Sequence, residues 1–402
     1  MKRSTLAGAL LLAWIHIAPA QAAEPPAQTA LDAGLFYELL LGELNARGAD
    51  PSTGYALILD AARKTNDPAL YQRAVDMAFQ SRSGDAALQA ARAWKEAHPT
   101  SRDANRYVLQ ILIALNRVGE SAQALRTEIE LADPKDRDAT LSLIPRNYAR
   151  VSDKKLAAAV VEQALADYLR QPETAGAAWA AVGRMRLAAG DRKAAIDAAQ
   201  RAQVASPGAE GPVLLALELM DPKEPQAETL VRRYMAGQPL PELRMAYARE
   251  LLESQRYKDA AQQLEFVTRE KPDYPEAWLV QGTLQLQDNR DDAAEASIKR
   301  YLELAQAQGK PEDRSRGMAQ AFLSLSRIAE RRKDLAQAAA WLDRIENPQD
   351  LVVAQQRRAS IMARQGKLEE ARKQMRSLRE RGITDFSAYA VDPSQPLLPD
   401  LF

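Results

Sequence analysis

Few side chains in this 402-residue chain have the types and spacing that catalysis or metal binding requires. The chain has no Cys and two His, and only His98, in "KEAHPTSRD", lies beyond the apolar N-terminal stretch. A nucleophile activated by His, or a zinc site built from Cys and His, therefore lacks its parts. We interpret His98, which precedes Pro99, as a residue at the end of a helical hairpin, where a cation is favourable.

Carboxylates and glycines also fail to form a recognisable reactive group. Asp291 and Asp292 fall in a predicted turn, where carboxylates solvate or cap helices. The stretch "GDRKAA" from Gly190 lacks the second Gly and the Lys-Ser/Thr ending of a phosphate-binding loop. The sequence therefore predicts a protein that is not an enzyme and holds no cofactor or metal. A hydrolase that uses carboxylates alone is the catalytic alternative.

The composition favours a helical protein that does not bind nucleic acid. Hydrophobic residues make up 46% and charged residues 27% of the chain, but aromatic residues only 6%. Lys and Arg together number 54, as do Asp and Glu, so the chain has no net charge. Nucleic-acid binding relies on a basic field, which a neutral chain does not provide.

The N-terminus has the pattern of a cleavable signal peptide over residues 1–22. Lys2 and Arg3 precede an apolar run from Leu6 to Ile17, and Ala20 and Ala22 are small residues where a signal peptidase cleaves. An uncleaved membrane anchor is the alternative. Residues 23–33 look like a flexible leader. Because the chain has no Cys, we predict no lipid anchor, and we expect export to a bacterial periplasm.

A recurring pattern of bulky, small and closing residues runs through the second half of the chain. Trp179, Gly183, Ala195 and Pro207 mark one unit, and Trp278, Gly282, Ala294 and Ile298 mark another. Ala260 and Ala294 are separated by 34 positions. Each unit is predicted to be a helix, a turn such as "AAGDRK" or "QDNRDD", and an antiparallel helix. Gly282 and Ala294 are expected where the two backbones approach most closely.

This pattern resembles the tetratricopeptide family, and it implies an all-α superhelical solenoid of about ten helical hairpins. We assign residues 34–174 to divergent helical repeats, 175–382 to tetratricopeptide repeats and 383–402 to a tail that caps the last hairpin or docks on a partner. The repeats are weakest where Pro145 interrupts a candidate helix and where "MDPKEPQ" shortens another. A non-repetitive helical bundle is the alternative fold.

The N-terminal half resembles a narrower family. The stretches "LFYELLLGELNARG", "ALILDAARKTNDPALYQRAVDMAF" and "GDAALQAARAWKEAHPTSRDA" are similar to the opening repeats of a proteobacterial envelope family. That family includes an outer-membrane lipoprotein that acts as the adaptor of a carboxyl-terminal processing protease. The resemblance covers roughly residues 34–115, and this chain departs from the adaptor because it lacks the lipidated Cys.

These observations favour a periplasmic scaffold or adaptor that binds another envelope protein, such as a processing protease or its substrates. The alternative is a structural accessory subunit of an outer-membrane assembly or polysaccharide-export machine. Association with the outer membrane would then come through a partner.

The resemblance to the tetratricopeptide family also predicts a binding groove, lined by the first helix of each hairpin. The residue that follows the bulky residue of each repeat, such as Ala180 after Trp179, contributes to an apolar strip. The residue that follows the Gly position, such as Arg184 after Gly183, contributes to an arginine row. The strip comprises Ala180, Met245, Leu279, Leu323 and Gln356. The row comprises Arg184, Arg249, Thr283, Arg327 and Ser360, with Arg331 and Arg364 on nearby turns. Such a groove suits an extended segment with carboxylates and apolar side chains. Alternatively, these arginines solvate an exposed face or pair with Glu253 and Glu330.

Overall fold

A computed structural model describes residues 33–48, 50–307, 311–345 and 348–380. All regular secondary structure in these ranges is helical, which confirms the all-α prediction. The twenty α-helices are α1 Ala33–Arg47, α2 Pro51–Thr65, α3 Pro68–Gln80, α4 Gly84–Ala97, α5 Arg102–Ala114, α6 Ser121–Glu130, α7 Arg137–Asn147, α8 Lys154–Leu165, α9 Ala175–Ala188, α10 Arg192–Ala205, α11 Glu210–Glu218, α12 Pro225–Met235, α13 Pro241–Glu253, α14 Tyr257–Glu270, α15 Pro275–Gln287, α16 Asp291–Ala307, α17 Pro311–Arg331, α18 Leu335–Leu342, α19 Pro348–Arg364 and α20 Leu368–Glu380. Short 3-10 helices span Val118–Glu120, Pro134–Asp136 and Tyr168–Arg170.

The helices pack in consecutive pairs, as the repeat pattern predicts. Each odd-numbered helix packs on the even-numbered helix that follows it, with α7 as the exception. The chain divides into two compact units, Met1–Leu131 and Ala132–Phe402. Among the described helices, the first unit contains α1 to α6 and the second contains α7 to α20. The assignment of divergent repeats to 34–174 and regular repeats to 175–382 describes sequence regularity and stays a prediction.

Most turns inside the described hairpins share a single backbone conformation. Gly190 and Asn289, from the two turns quoted above, both have positive φ, at 80° and 57°. Arg82 and Asn116 share this conformation and are 34 positions apart, as are Gln255 and Asn289. A left-handed residue ends the first helix and reverses the chain. The backbone therefore carries the same period as the sequence landmarks.

Gly282 lies at a close helix crossing, as expected. A Cβ atom at this position would lie 2.6 Å from Cγ1 of Ile298 and 3.3 Å from the carbonyl oxygen of Ala294. Ala294 and Ala260 are both fully buried, which confirms the register of the two repeats to which they belong. The small residues allow α15 and α16 to pack closely enough for their larger side chains to form a core.

The irregular stretches fall at the two places that the sequence indicated, but Pro145 lies inside α7 and does not interrupt it as predicted. Helix α7 continues through Pro145 but ends two residues later, at Asn147. It packs mainly on α9 rather than on α8, so this pair does not close as a regular hairpin. Helix α11 has only nine residues and ends before the stretch that contains Pro222 and Pro225. Proline inside a helix removes a backbone donor, and α7 ends soon after Pro145.

The predicted signal peptide, most of the leader and the tail from 383 to 402 lie outside the described residues. Within the described ranges, none of the helices combines the length and the apolar character that crossing a membrane requires.

Candidate protein-interaction surface

The predicted apolar strip is part of the protein core. Met245 is fully buried, Leu279 is 8% exposed, and Leu323 is partly buried. The prediction that these three side chains line an open groove is therefore wrong for Met245 and Leu279. Leu323, which packs against the core, has only part of its surface accessible.

Contacts between successive first helices explain this burial. A Cβ atom on Gly317 of α17 would lie 3.5 Å from Cδ2 of Leu279 on α15. Similarly, a Cβ atom on Gly211 of α11 would lie 3.5 Å from Cβ of Ala180 on α9. Ala180 and Leu279, which each follow the bulky residue of their repeat, therefore face the neighbouring repeat. Stacking of the repeats removes these side chains from solvent.

The predicted arginines lie one helical turn further along and form ion pairs between repeats. Nε of Arg184 donates to Oε1 of Glu218 at 3.1 Å, which joins α9 to α11. Both Nε and Nη2 of Arg249 donate to Glu276, with a shortest distance of 2.6 Å, which joins α13 to α15. The guanidinium groups therefore connect first helices that follow each other in the array.

The C-terminal end of the row repeats this arrangement. Nη1 of Arg364 on α19 donates to Oε2 of Glu330 on α17 at 2.8 Å. Glu330 also accepts from Nε of Arg357 at 2.6 Å. Nη1 of Arg331 donates to Oδ1 of Asp291 at 2.8 Å. Arg327, on the same helix, is partly buried.

The partners of these arginines are only partly those that the sequence suggested. Glu330 does pair with the row, but Arg249 pairs with Glu276 rather than with Glu253. Glu253 lies four residues along the same helix, whereas Glu276 lies on the next first helix. A sequence signal existed, because Arg184 and Glu218 are 34 residues apart, as are Glu330 and Arg364. Carboxylates at the repeat period could have been identified in advance.

The row is accessible enough for an exchange of partners. The Arg249 and Glu276 side chains are 50% and 46% exposed, and Arg364 is 48% exposed. Exposed ion pairs contribute about 0–1 kcal/mol to stability, so a carboxylate from another protein can replace an internal one at small cost. Arg184, at 19%, is the most enclosed of the paired members. The surface therefore offers Arg249 and Arg364 first.

The side chains considered for catalysis have structural contacts. His98 follows the last residue of α4, and its Nε2 lies 2.8 Å from the carbonyl oxygen of Asn66. Asp291 and Asp292 open α16, as expected for residues at a helix N-terminus, and pair with Arg331 and Arg332. No group of three or more His, Cys, Asp or Glu side chains within the described ranges is arranged to hold a metal ion.

Comparisons with known proteins agree with this architecture. Residues 246–311, which include Gly282 and both Ala260 and Ala294, match the family model described as tetratricopeptide repeat. No curated protein matches the chain.

Several solved structures resemble the fold at low sequence identity. The C-terminal part of a TPR repeat-containing protein from Cytophaga hutchinsonii is 12% identical, with 69% of this chain and 97% of that chain covered and a TM-score of 0.39. pilF of Pseudomonas aeruginosa is 18% identical, with 54% of this chain and 95% of that chain covered and a TM-score of 0.35. The TPR domain of P58(IPK) is 12% identical, with 87% of this chain and 100% of that chain covered and a TM-score of 0.29. These scores are too low to transfer a residue or a role from those structures. Residues 246–311 therefore resemble tetratricopeptide repeats, and they lie within a run of helices that pack in consecutive pairs.

Proposed function

We propose that the protein is a non-catalytic scaffold or adaptor of the bacterial envelope that binds another protein. In this proposal, residues 1–22 direct its export to the periplasm, and the partner is a carboxyl-terminal processing protease or one of its substrates. The observation that carries the proposal is the packing of successive first helices around the tetratricopeptide match at residues 246–311: α9 on α11, α11 on α13, α15 on α17 and α17 on α19. Stacked repeats of this kind present a continuous surface for recognition.

We further propose that the arginine row is the part of this surface that binds the partner. Met245 and Leu279 are buried, whereas the guanidinium groups of Arg249 and Arg364 are about half exposed and accessible to a partner. A guanidinium group can hold a carboxylate through two parallel hydrogen bonds, as Arg249 does when Nε donates to Oε1 and Nη2 donates to Oε2 of Glu276. A partner segment with Asp or Glu residues would take over these contacts. Binding should therefore weaken as salt concentration rises.

Charge reversal of the row tests this proposal. Arg249→Glu together with Arg327→Glu should reduce capture of the partner from an envelope extract by at least about fivefold, with the eluate identified by mass spectrometry. The matched control is Arg300→Glu with Arg372→Glu. Arg300 and Arg372 lie on second helices, and each pairs with a carboxylate on its own helix, so the control makes the same charge change away from the row.

Helix content and melting should be the same for both double variants. If the row variant captures the partner as well as the control does, the row is not the binding surface. If the wild-type protein captures no envelope protein, the scaffold function itself is contradicted. Recovery of an outer-membrane barrel or export channel in place of a protease would support the accessory-subunit alternative.

A further inference from the structure

Helix α1 exposes a row of large apolar side chains to solvent. Phe36, Leu40 and Leu44 follow one another at four-residue intervals, and Tyr37 flanks them. Their exposed fractions are 58%, 44%, 59% and 61% for Phe36, Leu40, Leu44 and Tyr37. Residues four apart lie on one face of a helix, so these side chains form a continuous strip. Gly42 alone among the residues of α1 is buried, and it lies on the opposite face.

Close backbone contact with α2 fixes which face of α1 points outward. A Cβ atom on Gly54 of α2 would lie 2.5 Å from the backbone nitrogen of Ala46 and 2.7 Å from the carbonyl oxygen of Gly42. A Cβ atom on Gly42 would lie 2.8 Å from Cδ1 of Ile58. Rotation of α1 about its axis would bring a side chain into this crossing. The apolar strip is therefore held in an exposed position.

Ion pairs on the flanks of α1 reinforce this orientation. Nζ of Lys64 on α2 donates to both carboxylate oxygens of Glu38 at 3.0 Å. Nε and Nη2 of Arg73 on α3 donate to the two carboxylate oxygens of Glu43 at 2.6 and 2.7 Å. Both carboxylates of α1 thus have cationic partners within the same unit.

A groove beside the strip combines apolar surface with an unmatched positive charge. It has a volume of about 530 Å³ and is lined by Leu40, Glu43, Leu44, Arg47 and Arg73. Glu43 is engaged by Arg73, and the exposed guanidinium of Arg47 forms no ion pair or hydrogen bond within the described part of the chain. Two guanidinium groups therefore face one carboxylate. A second carboxylate would complete the site.

Area and charge select the kind of occupant. Four half-exposed side chains of this size present roughly 300–500 Å² of surface, whereas a stable dimer needs about 800 Å² from each partner. The strip alone therefore matches a single docked helix better than the full interface of a second copy of the chain. Interfacial helices that bind lipid are rich in Lys and Arg, but α1 carries two Glu and one Arg. A membrane surface is therefore disfavoured as well.

We propose that this groove on α1 binds an amphipathic helix of another protein, with apolar side chains against Leu40 and Leu44 and a carboxylate on Arg47. A row of side chains at four-residue spacing forms a ridge that packs into the surface of a second helix. The proposal rests on the scaffold function and names a second place, separate from the arginine row, where a partner is held.

The test uses two synthetic helical peptides and the whole protein. Each fluorescein-labelled peptide has about 18 residues, long enough for helix formation, with Leu along one face. Glu borders the Leu face of one peptide, and Lys replaces each Glu in the other. Fluorescence polarisation should show saturable binding of the Glu peptide and at least about tenfold weaker binding of the Lys peptide.

Two substitutions assign the contacts. Arg47→Glu should reverse the preference between the peptides, and Leu44→Ser should weaken binding of both. Arg63→Glu is the matched control, because Arg63 is likewise exposed on a helix of this unit and has no ion pair among the described residues. The Arg63→Glu variant should bind both peptides as the wild type does. The absence of saturable binding, or equal binding of the two peptides, would overturn the proposal.

Other occupants give distinct results. Dimers in sedimentation that dissociate on Leu44→Ser would mean that a second copy covers the strip. Cosedimentation with vesicles of phosphatidylethanolamine and phosphatidylglycerol, lost on the same substitution, would mean a lipid surface. A photo-crosslinker at position 40 that reacts within the same molecule would mean that the chain covers itself. Each result overturns the proposal. The scaffold function would still stand if envelope protein capture depends on Arg249 and Arg327.

Discussion

The hairpins α1–α2 and α15–α16 cross through glycine in the same way but differ in what covers them. In α15, the buried residues include Ala277, Leu279 and Leu284, because α14, α16 and α17 pack around this helix. In α1, Gly42 is the only buried residue, and α2 is the main neighbour within the described chain. The shared crossing is a property of the repeat. The difference lies in the apolar side chains. In an interior hairpin they are buried between helices, whereas on α1 they are exposed and available for recognition.

The largest effect that would test this comparison is expected from Gly282→Leu. The new side chain would meet Ile298 at the α15–α16 crossing, where α14 and α17 prevent the helices from separating. Overpacking of this kind costs typically about 1–3 kcal/mol in the free energy of unfolding. Thermal and denaturant unfolding would measure it. Gly208→Leu is the control, since a Cβ atom there has no neighbour within 4 Å. An unchanged melting curve for Gly282→Leu would contradict the register of the repeats.

A polar contact inside the array should give the next largest effect, together with a dependence on pH. Burial raises the pKa of Glu228 on α12, but hydrogen bonds from Arg256, Tyr247 and Arg232 outweigh burial and lower the pKa from 4.5 to about 2. The ionised carboxylate is therefore favoured in the folded state. Its contribution to stability is complete above pH 4.5 and is lost as the pH falls from 4.5 to about 2.

Glu228→Gln should therefore destabilise the protein at neutral pH by about 1–2 kcal/mol, because hydrogen bonds to a charged group are lost. The difference from the wild type should shrink between pH 4.5 and 2. Glu43→Gln on α1 is the comparison, because its carboxylate is more exposed, at 36% against 16% for Glu228. Denaturant unfolding at several pH values measures both. A difference that is independent of pH would show that Glu228 does not titrate as described.

A smaller and local effect is expected from Gly54→Ala. The added methyl group would meet backbone atoms of Gly42 and Ala46, which cannot move as a side chain can. Since α1 is held mainly by α2, we expect α1 to detach while α2 stays packed on α3. Helix content should fall by no more than the 15 residues of α1, with little change in the main melting transition.

Limited proteolysis by chymotrypsin, which cleaves after aromatic residues, should detect the detached helix at Phe36 and Tyr37. Gly119→Ala is the control, because a Cβ atom there has no neighbour within 4 Å. If Gly54→Ala lowered the main transition as much as Gly282→Leu, the two hairpins would be equally integrated, contrary to the comparison.

The regular hairpins were predictable because small and bulky residues recur at a fixed period, and the left-handed turn residues follow that period too. The role of Met245 was not predictable in the same way, since the period alone does not tell a face that meets the next repeat from one that meets solvent. The partner of Arg249 was not predictable from neighbours on its own helix, because Glu276 lies on the next first helix. The exposed strip on α1 was hidden because "LFYELLLGEL" is apolar on several sides, and only the crossing at Gly42 and Gly54 selects the covered face.

The smallest effect is expected from Leu44→Ser, although the same kind of change is severe in a core. Leu44 is 59% exposed, so its replacement removes little buried apolar surface. Surface substitutions of this type usually change the free energy of unfolding by less than about 0.5 kcal/mol. Unfolding of Leu44→Ser should therefore coincide with that of the wild type, while its binding of the Glu-bordered peptide is reduced. Leu143→Ser is the matched control, since Leu143 on α7 is similarly exposed, at 52%, but lies outside the strip. A loss of stability for Leu44→Ser that Leu143→Ser does not show would mean that the strip already packs against part of the chain, and α1 would then belong with the covered helices such as α15.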